Sequence, residues 1–491
     1  MPDSTTRTEA AFTAASSAYA DTHQLDALRA LEYARLDATG TVYLDYTGGG
    51  LYASRQLTEH AAWLASGVFG NPHSANRPSA AATTRVEAAR RDVLEWFGAS
   101  ADTYTAIFTA NASAAIKLVG EAYPFSPQRG LLLSTDNHNS VNGLREYASA
   151  AGAPVDYAPL TVPDLRLDEA ALAVRLAAGT PGAPGLFAFP AQSNFSGVKH
   201  PLELVGQAKA RGWDVLLDAA AFVPANRLNL ADVPADFVSV SFYKMFGYPT
   251  GVGCLLARRT ALAELRRPWF AGGTVNFATV EGRAHLLAPG EAGFEDGTLN
   301  YLSIPAVSSG LALLREVGIE TIAARVQGLT ARILQELLAL RHTNGRPLVR
   351  IYGPTTMVRR GGTVTFNLYD PEGHLLDYRR VEELATAEGI ALRTGCFCNP
   401  GAGETAEGLT VEDVRAGLAE GDMTLPRFLR VIQHRGGKSA GAIRASVGLV
   451  SNLEDVRRFV AFLAGFRDQA RLAIGEVTFD IASCRVIRDG A

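Results

Sequence analysis

Short apolar segments alternate with helical patterns between about residues 100 and 260, and this alternation constrains the fold more than any other feature of the chain. The apolar segments are YTAIFTA, GLLLST, GLFAFPA, DVLLDAA, DFVSVSF and GVGCLLAR. Buried strands that alternate with helices are typical of a mostly parallel sheet with both faces covered by helices. The alternation therefore predicts an α/β domain.

The pattern changes from about residue 310 onward. A long helical pattern, TIAARVQGLTARILQELLALR, precedes three apolar segments that read as strands: GGTVTFNLYD, GIALRTGCFCN and GAIRASVGLV. This mixture predicts a second, α+β domain. We expect an N-terminal segment at 1–40 that packs on the small domain, a large domain at 41–305 and the small domain at 306–491. The less regular stretch 416–440 is expected to form an excursion near the surface.

Charge and cysteine content exclude several classes of function. The formal net charge of -4 and the pI near 6.2 come without a cluster of Lys and Arg, so we expect no nucleic-acid partner. Residues 1–20 lack the pattern of a signal peptide, and no apolar run reaches membrane-spanning length. Four cysteines in 491 residues indicate reduced thiols rather than a disulfide scaffold. We therefore expect a cytoplasmic protein without a membrane partner.

Polar residues follow the predicted strands of the large domain. Ligands bind at the carboxyl ends of the strands in such sheets, so these residues are candidates for a binding site. They are Asn111, His138, Gln192, Asn194, Asp218, Ser241 and Lys244.

Lys244 lies in SFYKMFGYPTG, directly after an apolar strand. An amine held at a strand end can form a Schiff base with an aldehyde cofactor, whereas an ordinary lysine is a solvated surface residue. Asp218 ends the strand DVLLD, where a carboxylate can keep the ring nitrogen of pyridoxal phosphate protonated. A turn or helix cap is the alternative for this Asp.

Two further motifs suit the phosphate and the ring of such a cofactor. In FTANASAAIKLVG, small residues at a helix start let backbone N–H groups approach a phosphate, although Ser113 is also a good simple N-cap. His138 follows the strand GLLLS, where its imidazole either stacks on a flat ring or satisfies a buried hydrogen bond.

Several longer motifs occur in the order found in class V aminotransferase-type pyridoxal phosphate enzymes. They are DNHNSVNGLREYA, FPAQSNFSG, LLDAAAFVP, ADFVSVSFYKMFGYPTGVGCLLAR, FEDGTLNYLSI, LRTGCFCNPGA and IRASVGLVSNLEDV. Over roughly residues 40–470 the chain resembles this family, and within it the cysteine desulfurase domain of molybdenum cofactor sulfurases. The resemblance implies a fold-type-I transferase with a mostly parallel, seven-stranded, cofactor-binding large domain and a smaller α+β C-terminal domain.

The resemblance also implies which residues hold pyridoxal 5'-phosphate. Lys244 matches the Schiff-base lysine, Asp218 the partner of the pyridine nitrogen and His138 the ring-stacking histidine. The remaining cofactor positions match Ala112, Ser113 and Ser241 at the phosphate, Asn194 near the ring hydroxyl, and Tyr243. Thr274, in FAGGTVNF, matches a phosphate contact from the neighbouring subunit, which implies a homodimer with active sites at the subunit interface.

Substrate-binding positions follow from the same resemblance. Arg444, in IRAS, matches the arginine that binds the substrate carboxylate, and Arg393 and Asn194 are further candidate substrate-binding residues. A permanently charged bidentate guanidinium suits an amino-acid carboxylate. A structural salt bridge is the alternative for Arg444.

Cys398 matches the nucleophilic cysteine of the desulfurases, and Arg393 lies just before it in LRTGCFCNPGA. A thiolate is the nucleophile in sulfur exchange, and a nearby guanidinium lowers a thiol's pKa. Zinc would need further Cys or His at finger-like spacing, and none follows. Buried structural thiols are the remaining alternative, which suits Cys396 better than Cys398.

The chain also departs from the sulfurase pattern. Gly403 stands where those proteins have a further cysteine, and the stretch GDMTLPRFLRVIQHRGGKSAG differs from their usual linker. The chain ends at Ala491, so we expect no molybdopterin-binding domain.

These observations favour an enzyme that acts on L-cysteine or a cysteine derivative. In the first hypothesis Cys398 takes the sulfur as a persulfide and alanine leaves. In the second the enzyme is a C–S β-lyase that releases a thiol from an S-conjugated cysteine, with pyruvate and ammonia as the other products. A non-catalytic binding homologue is the third.

Overall fold

The computed structural model describes residues 19–72, 74–180, 182, 185–418, 439, 441–475, 478–480 and 485–487. The predicted excursion at 416–440 lies almost entirely outside these residues, and so does Cys484. Within the described residues, no helix combines the length and apolar character that crossing a bilayer requires.

A seven-stranded sheet forms the centre of the large domain. Its strands, in order across the sheet, are Tyr104–Thr109, Gly253–Arg258, Phe237–Ser241, Asp214–Asp218, Gly185–Pro190, Gly130–Ser134 and Val155–Ala158. Of the six neighbouring pairs four are parallel, and the other two are antiparallel because Gly253–Arg258 runs opposite to both its neighbours. The predicted α/β fold with a mostly parallel sheet is confirmed.

Six of the seven strands coincide with the apolar segments seen in the sequence. The central strands are buried along nearly their whole length because helices cover both faces, which explains why their sequences show no polar alternation. The sequence analysis missed the edge strand Val155–Ala158. Its residues are half-buried or exposed except Ala158, so they lack the continuous apolar signal of the others.

Helices surround this sheet and continue into the second half of the chain. Those before residue 305 are Gln24–Glu32, Arg35–Ala38, Ser54–Ala65, Arg77–Trp96, Ala112–Ala122, Asn139–Asn142, Leu144–Ala150, Glu169–Ala177, Glu203–Lys209, Phe242–Phe246 and Arg259–Glu264. Those after it are Ala306–Val317, Ile319–Ala339, Tyr378–Ala387, Pro400–Glu407, Val411–Leu418 and Leu453–Ala464.

A four-stranded antiparallel sheet forms the second layer. Its order is Val349–Tyr352, Thr363–Leu368, Ala442–Ser446 and Arg393–Gly395. Three of these strands were predicted, and the α+β character of the small domain is confirmed. The register sets Arg444 opposite Thr365 on one side and opposite Arg393 on the other.

The remaining strands of the described residues form four small two-stranded sheets. They pair Val42–Tyr43 with Ile390–Ala391, Leu160–Thr161 with Arg166–Leu167, Val275–Ala278 with His285–Leu287, and Thr478–Asp480 with Arg485–Ile487. The first pair is parallel and joins the start of the large domain to the small one.

Residues 19–40 contact the second half of the chain. The fully buried Arg325 donates to Thr22 and to the carboxylate of Asp26, and the buried Arg29 pairs with Asp455 at 2.5 Å. The N-terminal helices are therefore fastened to the helices that cover the smaller sheet. The domain boundaries at residues 40 and 305 stay predictions.

Candidate active site

A cavity of about 190 Å³ opens at the carboxyl edge of the seven-stranded sheet. The side chains around it come from the turns that follow neighbouring strands, as expected for this kind of sheet. It is lined by Asn111, Ala112, Ser113, Ile116, His138, Ser140, Pro190, Gln192, Asn194, Asp218, Ala220, Ala221, Ser241, Tyr243 and Lys244. The structure thus brings together every predicted cofactor residue except Thr274.

Lys244 stands on a one-turn helix, Phe242–Phe246, that begins where its strand ends. Gly247 ends this helix with a φ of 78°, and a Cβ there would lie 2.2 Å from the Tyr52 backbone nitrogen, so only glycine fits the stop. Burial lowers the pKa of Lys244, and nearby Arg444 lowers it further against the opposing effect of Asp218. The lowered pKa favours the neutral form of the amine, which is the nucleophilic one.

Asp218 ends the central strand of the sheet and is buried. Its Oδ1 accepts hydrogen bonds from the backbone N–H of Ala220 at 3.1 Å and from the Ser239 hydroxyl at 3.2 Å. Both hydrogen bonds are made to Oδ1, so Oδ2 is left to accept a hydrogen bond from a molecule bound in the cavity. Sequence reasoning missed Ser239, because a serine inside a buried strand gives no separate signal.

His138 is held by Ser140, two residues further along. Its Nδ1 accepts from the Ser140 backbone N–H at 3.1 Å and lies 3.0 Å from the Ser140 hydroxyl, whose oxygen is 2.5 Å from that of Ser113. Burial lowers the pKa of His138, and Lys244 and Arg444 lower it further while Asp218 raises it. A neutral imidazole suits the ring-stacking role better than a buried cation. Ser140 was not singled out in the sequence.

The N-terminus of the helix Ala112–Ala122 meets the cavity. Asn111 caps this helix by accepting from the Ala114 N–H at 3.0 Å, and the Ser241 hydroxyl oxygen accepts from the Ala112 N–H at 2.9 Å. The positive end of the helix dipole and these hydroxyl and amide groups suit a phosphate.

One buried polar atom in this region lacks a partner. Gln192 Oε1 has no hydrogen bond within the described residues, although the side chain lines the same cavity as Lys244. A hydroxyl group bound there could donate to it, and leaving it unpaired is costly. Together the amine, carboxylate, imidazole, helix terminus and amide oxygen fit pyridoxal phosphate, which carries an aldehyde, a pyridine nitrogen, a flat ring, a phosphate and a hydroxyl.

Arg444 is buried and lies just beyond the cavity. It donates to the Asn194 backbone oxygen and to Asp45 Oδ1, each at 3.0 Å, while its Nε has no partner within the described structure. Arg393 donates from Nε to the other oxygen of Asp45 at 2.8 Å. One carboxylate therefore joins the two predicted substrate-binding arginines.

Asp45 was missed by the sequence analysis. It follows the short strand Val42–Tyr43 far from either arginine in sequence, so only the fold reveals the cluster. Arg393 was expected to activate the Cys398 thiol, but the structure directs its guanidinium to Asp45 instead.

We name residues 396–399 the thiol turn. Cys396 and Cys398 are exposed, whereas Cys254 is buried in a strand where desolvation raises its pKa. The Cys398 carbonyl accepts from the Asn139 N–H at 2.7 Å, and the Phe397 carbonyl accepts from Asn194 Nδ2 at 2.8 Å. These bonds bring the thiol turn to the rim of the cavity. They also occupy the Asn194 amide that was expected near the ring hydroxyl.

Thr274 does not line the cavity. Its buried hydroxyl accepts from the Ala271 N–H at 2.8 Å and donates to the Ala271 carbonyl at 2.9 Å within its own loop. A phosphate contact from this residue would have to be made in a neighbouring subunit.

The chain matches a protein family, curated proteins and solved structures. The family model of aminotransferase class V matches residues 42–459. Molybdenum cofactor sulfurase of Solanum lycopersicum is 39% identical over 469 residues, which cover 89% of this chain and 57% of that protein. The human molybdenum cofactor sulfurase is 36% identical over 464 residues, which cover 90% of this chain and 51% of that protein.

Among solved structures, the apo cysteine desulfurase from Thermococcus onnurineus NA1 superposes with a TM-score of 0.72 at 22% identity. The match covers 90% of this chain and 98% of that one. The chain thus spans little more than half the length of the curated relatives it matches, and nearly the whole of this structural relative.

Proposed function

The chain belongs to the aminotransferase class V family, and on that premise we propose that it is a pyridoxal phosphate-dependent cysteine desulfurase. Its substrate is L-cysteine or a cysteine derivative, and Cys398 receives the sulfur. The observation that carries this proposal is the attachment of the thiol turn to the rim of the Lys244 cavity through Asn139 and Asn194. The similarity to molybdenum cofactor sulfurases supports the same chemistry.

Residues of the cavity hold the cofactor in this proposal. Lys244 would hold it covalently through its amine, Asp218 would accept a hydrogen bond from the ring nitrogen, and His138 would pack on the ring. When bound, pyridoxal phosphate supplies an electron sink that accepts the electron pair left when the substrate Cα loses its proton.

The substrate is positioned by the cavity and by Arg444. The unpartnered Nε of Arg444 offers a donor to the substrate carboxylate, and its fixed, fork-like geometry orients the Cα–H bond. Lys244, whose pKa is lowered, would be the base that removes the proton from Cα. The same amine can afterwards return the proton.

Sulfur transfer then requires one nucleophile. The Cys398 thiolate attacks the substrate sulfur, so that an S–S bond forms while the substrate Cβ–S bond breaks. The electron pair of the broken bond goes to Cβ, which takes up a proton, and alanine leaves. Sulfur is oxidised to the persulfide level, carbon is reduced by the same two electrons, and no external oxidant is needed.

The test is a product analysis. Purified protein is incubated with L-cysteine or with an S-alkyl cysteine, and alanine, pyruvate and the mass of the Cys398 peptide are measured. We expect alanine and a persulfide on Cys398 from L-cysteine, and loss of both in Cys398→Ala. Cys396→Ala, two residues away and equally exposed, is the matched control and should keep both.

Other outcomes would contradict the proposal. Pyruvate that survives Cys398→Ala would identify a C–S β-lyase acting on S-conjugated cysteine. Absence of any product, together with absence of cofactor absorbance, would identify a non-catalytic binding protein.

The proposal includes a homodimer with active sites at the subunit interface, and the loop that contains Thr274 as part of that interface. In its support, a hairpin beside Thr274 pairs Val275–Ala278 with His285–Leu287, and this hairpin and the segment just before Thr274 carry several exposed apolar side chains. These are Trp269, Phe270, Phe277, Val280 and Leu286. Such a group of exposed apolar residues is typical of a protein interface. Sedimentation should give a dimer that Phe277→Asp weakens, whereas a monomeric wild type would contradict it.

A further inference from the structure

We propose that Asn399 is a positioning residue that sets the place of the Cys398 sulfur relative to the substrate. This inference rests on the proposed function and adds to it a residue outside the cofactor cavity. Asn399 is fully buried directly after Cys398, and both groups of its side-chain amide are engaged.

The amide of Asn399 joins the thiol turn to the large domain. Nδ2 donates to the Asp136 backbone oxygen at 2.7 Å and to Asn194 Oδ1 at 2.9 Å. Asp136 follows the strand Gly130–Ser134, and Asn194 follows the strand Gly185–Pro190. One side chain thus fixes the end of the thiol turn to the carboxyl ends of two adjacent strands.

The other end of the amide serves the helix that follows. Oδ1 accepts from the Ala402 N–H at 3.2 Å and caps the helix Pro400–Glu407. Nδ2 and Oδ1 therefore have separable tasks: the first fastens the turn to the sheet, and the second starts the helix.

The thiol turn needs such fastening because its backbone is strained. Phe397 and Cys398 have φ angles of 54° and 56°, so two consecutive residues with side chains occupy the left-handed region. Backbones of this kind persist only where the surroundings hold them, and they cluster at functional sites. The bonds from Asn139 and Asn194 to the turn carbonyls, with those from Asn399, supply that hold.

The same contacts relate the thiol to the carboxylate site. Asn194 accepts from Arg444 through its backbone oxygen and donates to the Phe397 carbonyl through its side chain. The Arg444 guanidinium also lies 4.8 Å from the centre of the Phe397 ring. Through Asn194, Asn399 therefore holds Cys398 in a fixed relation to the arginine that orients the substrate.

Two variants separate fastening from capping. Asn399→Asp keeps an oxygen for the Ala402 N–H but sets a carboxylate against two oxygens, those of Asp136 and Asn194. Asn399→Ser also keeps a capping oxygen but is too short to reach either partner. Asn452→Ser is the matched control, because Asn452 caps the helix Leu453–Ala464 by the same bond, away from the cavity.

The experiment measures two steps on the cofactor-loaded enzyme. Deuterium wash-in at the substrate Cα reports proton removal by Lys244, and mass analysis of the Cys398 peptide reports sulfur transfer. We expect both Asn399 variants to lower the rate of persulfide formation by at least tenfold while Cα exchange stays within twofold of wild type. Asn452→Ser should leave both rates unchanged.

Each contrary result has a distinct meaning. If persulfide forms in the variants as fast as in wild type, or if Cα exchange falls in proportion to it, Asn399 is not a positioning residue. A wild type that exchanges Cα–H but never forms a persulfide would overturn the proposed function itself.

Discussion

Lys244 shows how single residues of the site take their chemistry from their surroundings. Its ammonium form is disfavoured because the side chain is desolvated and because Arg444 and Arg393 lie nearby, while Asp218 and Asp45 only partly offset this. The result is a lysine with a lowered pKa at the centre of a cavity, which is the state required of a Schiff-base nucleophile and a general base.

We expect Lys244→Ala to remove the borohydride-trapped link to the cofactor and to slow Cα–H exchange by roughly 10²- to 10⁴-fold, the usual contribution of a general base. Exchange into the substrate from D2O measures this. Lys199→Ala is the control, because desolvation also lowers the pKa of Lys199 but its amine bonds Asn226 outside the cavity. Equal losses in the two variants would contradict the assignment.

His138 gives a prediction on pH. Its pKa in the folded protein lies below the ordinary value of 6.5, so between these two values the unfolded chain binds a proton that the folded protein does not. The free energy of unfolding should therefore fall as the pH drops below about 6.5, and more steeply in wild type than in His138→Phe. Urea unfolding between pH 7 and pH 5 measures both slopes, and parallel slopes would contradict the shift.

At the scale of elements, the helix Pro400–Glu407 packs closely against the backbone at Thr135, and this packing positions the thiol turn. A Cβ at Gly401 would lie 2.1 Å from the Thr135 backbone oxygen, whereas a Cβ at Gly403 would meet only the Phe195 ring at 3.7 Å. Only the first glycine is required for close packing. A Cβ at the second position would fit here, so Gly403 is not a steric necessity.

This difference gives a matched pair of substitutions. Gly403→Ala should stabilise the protein by about 0.5–1 kcal/mol, because alanine favours a helix interior. Gly401→Ala should destabilise it and slow persulfide formation, since the helix must move away from Thr135. Thermal unfolding and the persulfide assay check both, and the same sign of stability change in the two variants would refute the packing argument.

At the scale of the whole molecule, the site is completed by parts distant in sequence. The large sheet supplies Lys244 and Asp218, the smaller sheet supplies Arg444, and Asp45 from the start of the described core joins Arg444 to Arg393. Contacts between the N-terminal helices and the second half of the chain should therefore contribute to the free energy of unfolding of the whole molecule.

We expect Arg325→Leu to lower the free energy of unfolding by roughly 1–3 kcal/mol, because the buried guanidinium bonds Thr22, Asp26 and Ser451 and its loss leaves their oxygens unpaired. Urea denaturation measures the change. Arg332→Ala, on the same helix but paired with Glu336 at the surface, should change it by less than about 1 kcal/mol. Similar losses in both variants would contradict the argument.

The sequence alone predicted the sheet, most of its strands and the polar residues at their ends that line the cavity. Buried parallel strands carry a continuous apolar signal, and the polar residue after each strand is adjacent to it in the chain, so local order predicts both. Lys244, Asp218 and His138 were found in this way. The half-exposed edge strand Val155–Ala158 gave too little signal to be found.

Only the tertiary structure decided how the thiol turn and the two arginines are held. Asp45 is separated from Arg444 by 399 residues, and Asn399 from Asp136 by 263. Hydrogen bonds between such distant residues leave no periodic pattern or local spacing in the chain. They exist because the tertiary fold brings the turns after the strands of the large sheet next to the smaller sheet, and this places a carboxylate between two guanidinium groups and an amide next to a cysteine.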